Sequence, residues 1–121
     1  MSGLDNLLFI RMNTLKLYRA VSQNEFEDWE KIKAFRTAKN TLEAKQFFKS
    51  LLAVKDFVSN SQIQKFSPVY SMILEIEILN DCLNSIQVFT TELDRFEAIT
   101  VSENDLPGFN KCIKFVKHYA V

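Results

Sequence analysis

Glycine is almost missing from this chain: its 121 residues include two, Gly3 and Gly108. Phosphate-cradling loops of the Walker and Rossmann types need several glycines at short spacing, because backbone amides must come close to the phosphate. Those nucleotide-binding classes are excluded. Cysteine is equally scarce. Cys82 and Cys112 are too few for a disulfide scaffold or a cysteine zinc site, and they read as two buried thiols in a reducing compartment. The single histidine, His118, gives no metal-ligand cluster. It is expected to be structural or at the surface, with a Cys–His nucleophile pair as the formal alternative. Excess charge of either sign is also absent. Fifteen basic residues balance fifteen acidic ones, which argues against a protein built mainly to neutralise a nucleic-acid backbone. No window approaches the ~18 consecutive apolar residues of a membrane-spanning helix. The apolar run Leu7–Ile10 has no basic residue before it and no small-residue cleavage site after it, so it does not read as a signal peptide. The expectation is one soluble, cytoplasmic domain over residues 1–121, with no membrane partner and no metal.

Phenylalanine is abundant. Eleven Phe supply large buried areas and predict a compact core. Residues 14–21 alternate as a half-buried strand does, with Leu15, Leu17, Arg19 and Val21 on one face. Ser22 and Glu25 form a Ser-x-x-Glu capping box, which predicts a helix carrying Phe26 and Trp29 and ending near Lys33 or Ala34. Lys45–Phe48 reads as a short strand. Ser50 caps a second helix with Leu51, Leu52, Val54, Phe57 and Val58 on its buried stripe, and residues 60–67 read as a polar loop ending at Pro68. Residues 69–79 form the strongest strand, with Tyr70, Met72, Leu74, Ile76 and Ile78 facing the core and Glu75 and Glu77 on the wetter face. Residues 80–86 suggest a short helix or turn, residues 89–95 are ambiguous, residues 96–101 form a strand, Leu106–Phe109 a turn, and residues 113–119 a last strand. Short strands interrupted by two helices define an α+β class.

Arg19 is the least ordinary residue in this pattern, since a charge on an apolar strand face is costly unless it is paired. A structural ion pair with Glu25 or Glu77 is one reading of it. The order of features around it suggests another. Tyr18-Arg19-x-x-Ser22-x-x-Glu25 is followed by Asn40-Thr41-Leu42-Glu43-Ala44-Lys45-Gln46-Phe47 and then by the Ile/Glu strand Met72–Ile78. This set resembles the small ADP-ribosyltransferase-like toxin domains of bacterial polymorphic and Rhs-type proteins, the group called TreTu. The likeness covers Leu17 to Ile78 and, loosely, Phe96 to Ile113. Ala44 stands where that family has glycine, and the family's Ser-Thr-Ser motif has no counterpart.

The resemblance implies two small packed sheets of about six strands with two main helices, and NAD as a substrate used without a metal. Arg19 would hold ribose or phosphate, with Tyr18 and Lys45 beside it in the cofactor site, and Phe47 would stack on nicotinamide. Glu97 would be the catalytic carboxylate, Glu75 and Glu77 being the alternates, because oxocarbenium-like charge at the ribose needs a negative partner. Arg19, Lys45, Phe47 and Glu97 are therefore expected to converge on one cleft. The implied partner is a macromolecular acceptor, protein or nucleic acid, or a cognate immunity protein. The alternative is a catalytically inactive relative that serves as an interaction, immunity or regulatory module, with its cleft filled and Arg19 neutralised by a carboxylate. A further alternative is an inhibitor acting through the acidic face Glu25, Glu27, Asp28 and Glu30.

Overall fold

A computed structural model describes residues 13–37, 44–86, 89–93 and 96–121. Six strands form one antiparallel sheet: β1 (Thr14–Ser22), β2 (Ala44–Phe48), β3 (Tyr70–Leu79), β4 (Phe89–Leu93), β5 (Phe96–Ser102) and β6 (Ile113–Ala120). Their order across the sheet is β4-β5-β2-β1-β3-β6. Helices α1 (Gln23–Ile32), α2 (Leu51–Gln64), α3 (Asn80–Leu83) and α4 (Leu106–Cys112) complete an α+β architecture. Asn40-Thr41-Leu42-Glu43, part of the second stretch on which the resemblance rests, lies outside the described residues.

The central strands are buried on both faces. Leu17 and Val21 of β1 join Leu74, Ile76 and Ile78 of β3 and Phe47 and Val101 in a core covered by Phe26 and Trp29 of α1, Leu83 of α3 and Phe109 of α4. Phe47, Phe35 and Phe109 meet there, the Phe47 and Phe109 rings lying 4.6 Å apart. On the opposite face Tyr18, Ala20, Phe48, Ile73 and Ala98 lie beneath Ala53, Val54 and Val58 of α2. The abundance of Phe is thus spent on both layers.

The serine caps act as the sequence suggests, but the second half of the capping box does not, since Glu25 turns both carboxylate oxygens to Arg19. Ser22 Oγ accepts the Glu25 amide at 3.3 Å, and Ser50 Oγ accepts the Ala53 amide at 3.0 Å. Lys33 ends α1 in a left-handed conformation, as Lys65 ends α2.

Five expectations are corrected. The two packed sheets are one: Tyr18 of β1 pairs with Phe48 of β2, and the layer under α2 runs across that junction. Residues 60–64 belong to α2 and not to a loop, and Leu52 on its expected buried stripe is 73% exposed. Leu106–Phe109 is the start of α4, with Pro107 in its first turn where a missing amide costs nothing. Gly108 suits this helix because a Cβ there would come within 2.9 Å of Ile86 Cγ2. Finally, Cys82 and Cys112 are not thiols. α3 and α4 bring their Cα atoms to 5.4 Å and the two form a disulfide. The step from free thiols to a reducing, cytoplasmic compartment loses its ground, since disulfides persist where the surroundings are oxidising. Among the described residues no helix is long and apolar enough to cross a membrane.

The disulfide spans a sequence separation of 30, for which chain-entropy arguments give about 3–4 kcal/mol of stabilisation. A Cys82→Ser/Cys112→Ser variant is expected to lose roughly that amount in denaturant unfolding. A reducing agent should destabilise the wild type to the same degree and leave the double variant unchanged. A wild type insensitive to reductant would contradict the bond.

Candidate functional site: a cleft at the β1–β2 seam

β1 and β3 pair along nine residues and β2 and β5 along five. β1 and β2, by contrast, are in register at Tyr18 and Phe48 alone. Beyond that pair the strands separate, and both line a cleft of about 640 Å³. That size falls in the range typical of small-molecule sites.

Parting two central strands leaves backbone groups without ladder partners, and one side chain bridges the gap. Arg19 Nη1 donates to the Gln46 carbonyl at 2.9 Å. Its Nε and Nη2 donate to the two carboxylate oxygens of Glu25 at 2.6 and 2.8 Å, a bidentate pair. Glu25 sits in the first turn of α1, so the helix that Ser22 caps also delivers the counter-ion. Lys45 of β2 approaches the same carboxylate, with Nζ 3.4 Å from Oε2. These three side chains retain only 17%, 23% and 11% of their exposure for Arg19, Glu25 and Lys45. The result is two cations sharing one carboxylate in a largely desolvated place.

The titration behaviour follows. Burial pushes the Glu25 carboxyl up, but the hydrogen bonds and charge of Arg19, with Lys45 behind them, outweigh it and hold the group below its ordinary value. Burial lowers Lys45, and the adjacent Arg19 lowers it further against the pull of Glu25. At the rim Arg36 forms a second bidentate pair with Asp28, at 3.1 and 2.6 Å. Part of the remaining wall is aromatic. Phe48, Phe57 and Tyr70 line the cleft, the Phe57 ring lying 5.0 Å from Phe48 and 5.5 Å from Tyr70. Burial raises the Tyr70 hydroxyl. Charge therefore comes from the sheet face under α1 and ring surface from the face under α2, and the parted seam joins them.

Of the residues singled out from sequence, Arg19 and Lys45 line this cleft and touch the same carboxylate. The others do not join them. Phe47 is fully buried in the core, where its ring takes the Arg19 guanidinium at 5.7 Å and offers no open face. Tyr18 is buried under α2 beside Glu75, its hydroxyl raised by burial and then by that carboxylate. Glu97 is exposed on β5 and forms an ion pair with Lys49. Glu75 and Glu77 lie on β3, an interior strand of the sheet. Glu75 accepts the Tyr119 hydroxyl and stands 3.7 Å from Lys16, while Glu77 is opposite Lys16 in the ladder. The Tyr119 hydroxyl is accordingly raised, by burial first and by Glu75 second. His118 is exposed on β6 with its ring 5.0 Å from Phe26. Among the described residues no group of three or more His, Cys, Asp or Glu could hold a metal ion.

Sequence reasoning missed Phe57, Tyr70, Arg36 and Asp28 as cleft residues. For Tyr70 the signal was misleading: alternation assigns it to the Met72 face, but the ladder slips between Val21 and Ser22 and turns it toward α2. The chain matches no protein family, no curated protein and no solved structure with which it was compared.

Removing one partner of a largely buried ion pair strands the other, at a cost of about 3–5 kcal/mol. Arg19→Ala is expected to lose that much stability by denaturant unfolding. Lys49→Ala, at the exposed pair with Glu97, should cost less than about 1 kcal/mol. Similar losses in the two variants would refute the buried tie.

A pH dependence follows with definite sign. A carboxyl whose pKa is depressed on folding contributes stability that is fully present above its ordinary value of 4.5 and is lost as pH falls through the lower folded value. Melting temperature should therefore fall as pH drops below about 4.5, and the fall should be shallower in Arg19→Met, which frees Glu25 of its main cation. Equal acid slopes for wild type and variant would show that Glu25 is not held down by Arg19.

Proposed function

We propose that this chain binds an anionic, ring-bearing ligand of the nucleotide class in the seam cleft, with NAD as the ligand that the ADP-ribosyltransferase resemblance implies. The observation that carries this reading is the pairing, in one cleft, of a buried cluster with more positive than negative charge and the half-buried rings of Phe57 and Tyr70. Phosphate is the complement of the first and a planar base or nicotinamide of the second. No glycine-rich loop is needed, because side chains supply the positive charge.

On this reading the transfer chemistry would use a carboxylate near the ribose. Glu25 and Asp28 are the acidic residues that line the cleft, so Glu25 replaces Glu97 as the first candidate. Its held-down pKa keeps it ionised at neutral pH, as stabilisation of an oxocarbenium-like centre requires. The acceptor would be a macromolecule. One observation favours a second reading, a non-catalytic module that binds a partner or nucleotide without turnover: Glu25 already has both oxygens committed to Arg19.

Titration calorimetry with NAD, paired with an assay of NAD consumption and label transfer in a cell lysate, distinguishes these outcomes. Binding with transfer supports the transferase; binding without turnover supports the module. No NAD binding at millimolar concentration would end the nucleotide reading. Phe57→Ala or Tyr70→Ala should weaken binding about tenfold or more, since stacking of a base on an aromatic side chain is worth ~1–3 kcal/mol.

A further inference from the structure

Three cations line the cleft, Arg19, Lys45 and Arg36, and their donors are not equally available. Arg19 spends two nitrogens on Glu25 and the third on the Gln46 carbonyl. It is tied to α1 and β2 at once, and freeing it would strand Glu25 and reopen the seam. Arg36 is committed by two hydrogen bonds to Asp28, and its side chain is 58% exposed at the rim. Lys45 differs from both. Its ammonium carries three donors, yet among the described residues it meets one carboxylate oxygen, at 3.4 Å, which is longer than a well-formed hydrogen bond. That oxygen is the one Arg19 Nε already holds at 2.6 Å. Its side chain is 11% exposed and lines the cleft, so the donors the protein leaves unmet face whatever occupies that space. Lys45 is thus the buried, under-compensated cation of the cleft, and burial together with the Arg19 charge makes its charged form costly.

Resting on the nucleotide reading above, we propose that Lys45 is the residue that holds the ligand's phosphate group, and that Arg19 is a positioning residue that keeps the β1–β2 seam in shape. A phosphate oxygen placed beside Nζ completes the donors of Lys45 and neutralises the excess charge of the cluster without breaking the Arg19–Glu25 pair. An ammonium suits this task because it is a compact point charge that needs no bidentate geometry. Affinity for the anionic part of a ligand should then follow Lys45, while Arg19 governs the cleft as a whole.

Calorimetry with three probes tests the assignment: ADP-ribose, adenosine, which has the ring without the phosphates, and pyrophosphate, which has the charge without the ring. Each is measured on wild type, Lys45→Met, Lys45→Arg and Arg19→Lys, with thermal melting run in parallel. The wild type should favour ADP-ribose over adenosine at least tenfold. Lys45→Met should bring that ratio close to one with adenosine affinity unchanged, and Lys45→Arg should restore most of it. Arg19→Lys should lower the melting temperature and weaken ADP-ribose and adenosine by similar factors. A wild-type ratio retained in Lys45→Met, or a ratio lost only in Arg19→Lys, overturns the assignment. Failure of the nucleotide reading is separable. If the two nucleoside probes do not bind but pyrophosphate does, and loses affinity in Lys45→Met, the anion site stands without the nucleotide. If none of the three binds, both readings fall.

Discussion

The bidentate tie between Arg19 and Glu25 is the interaction on which the rest of the site depends. A continuous sheet satisfies its backbone by pairing every strand with the next, and here two central strands meet at a single registered pair. The opening is tolerable because a guanidinium fills it, reaching the Gln46 carbonyl with one nitrogen and a helix-borne carboxylate with the other two. The same contact docks the first turn of α1 against β1. Sheet, helix and cleft wall are thereby fixed by one side chain, itself resting over the Phe47 ring.

The core makes this arrangement rigid. Both faces of β1 and β3 are buried, so the strands cannot slide to close the gap without exposing either the Phe47–Phe109 layer or the Phe48–Val54 layer. The disulfide between Cys82 and Cys112 anchors α3 to α4 at the end of the sheet away from the seam residues, adding stability where no cleft needs to form. A cleft in a protein of this size costs buried area, and the aromatic layers on both faces offset that loss.

Charge distribution in the cleft has a chemical consequence. Exposed pairs such as Lys49–Glu97 are solvated and contribute little to stability. The desolvated cluster differs because two cations compete for one carboxylate, so its charge is left over in a place that water reaches poorly. Such a place suits an anion, and the adjoining Phe57 and Tyr70 rings suit a planar group attached to it. The chemistry of the opening is therefore defined more sharply by Lys45 and the rings than by carboxylates elsewhere on the sheet.

Much of the local structure was legible in the residues. The strand spans of β1 and β3, the Ser22 and Ser50 caps and the stop near Lys33 rest on contacts within a few positions of one another, so the sequence carries them directly. The half-buried reading of β1 was not borne out, because α2 covers the face that alternation leaves to solvent and buries Tyr18 and Ala20 beside Leu17 and Val21. The oddness of Arg19 was legible too, since charge on a strand face buried on both sides demands a partner, and Glu25 six residues on is that partner. Other features were settled by tertiary structure. Glu97 went to solvent with Lys49, and Phe47 to the core, because the β2–β5 register and the packing of α4 decide which side of the sheet each residue meets. The Cys82–Cys112 bond depends on α3 and α4 meeting across 30 positions, and the aromatic wall depends on a ladder slip beside Ser22 that turns Tyr70 around. Periodicity fixes which residues share a face of one strand. Which faces meet across distant parts of the chain is settled only when the strands are ordered, and the cleft exists because two of them, next to each other in that order, are held apart.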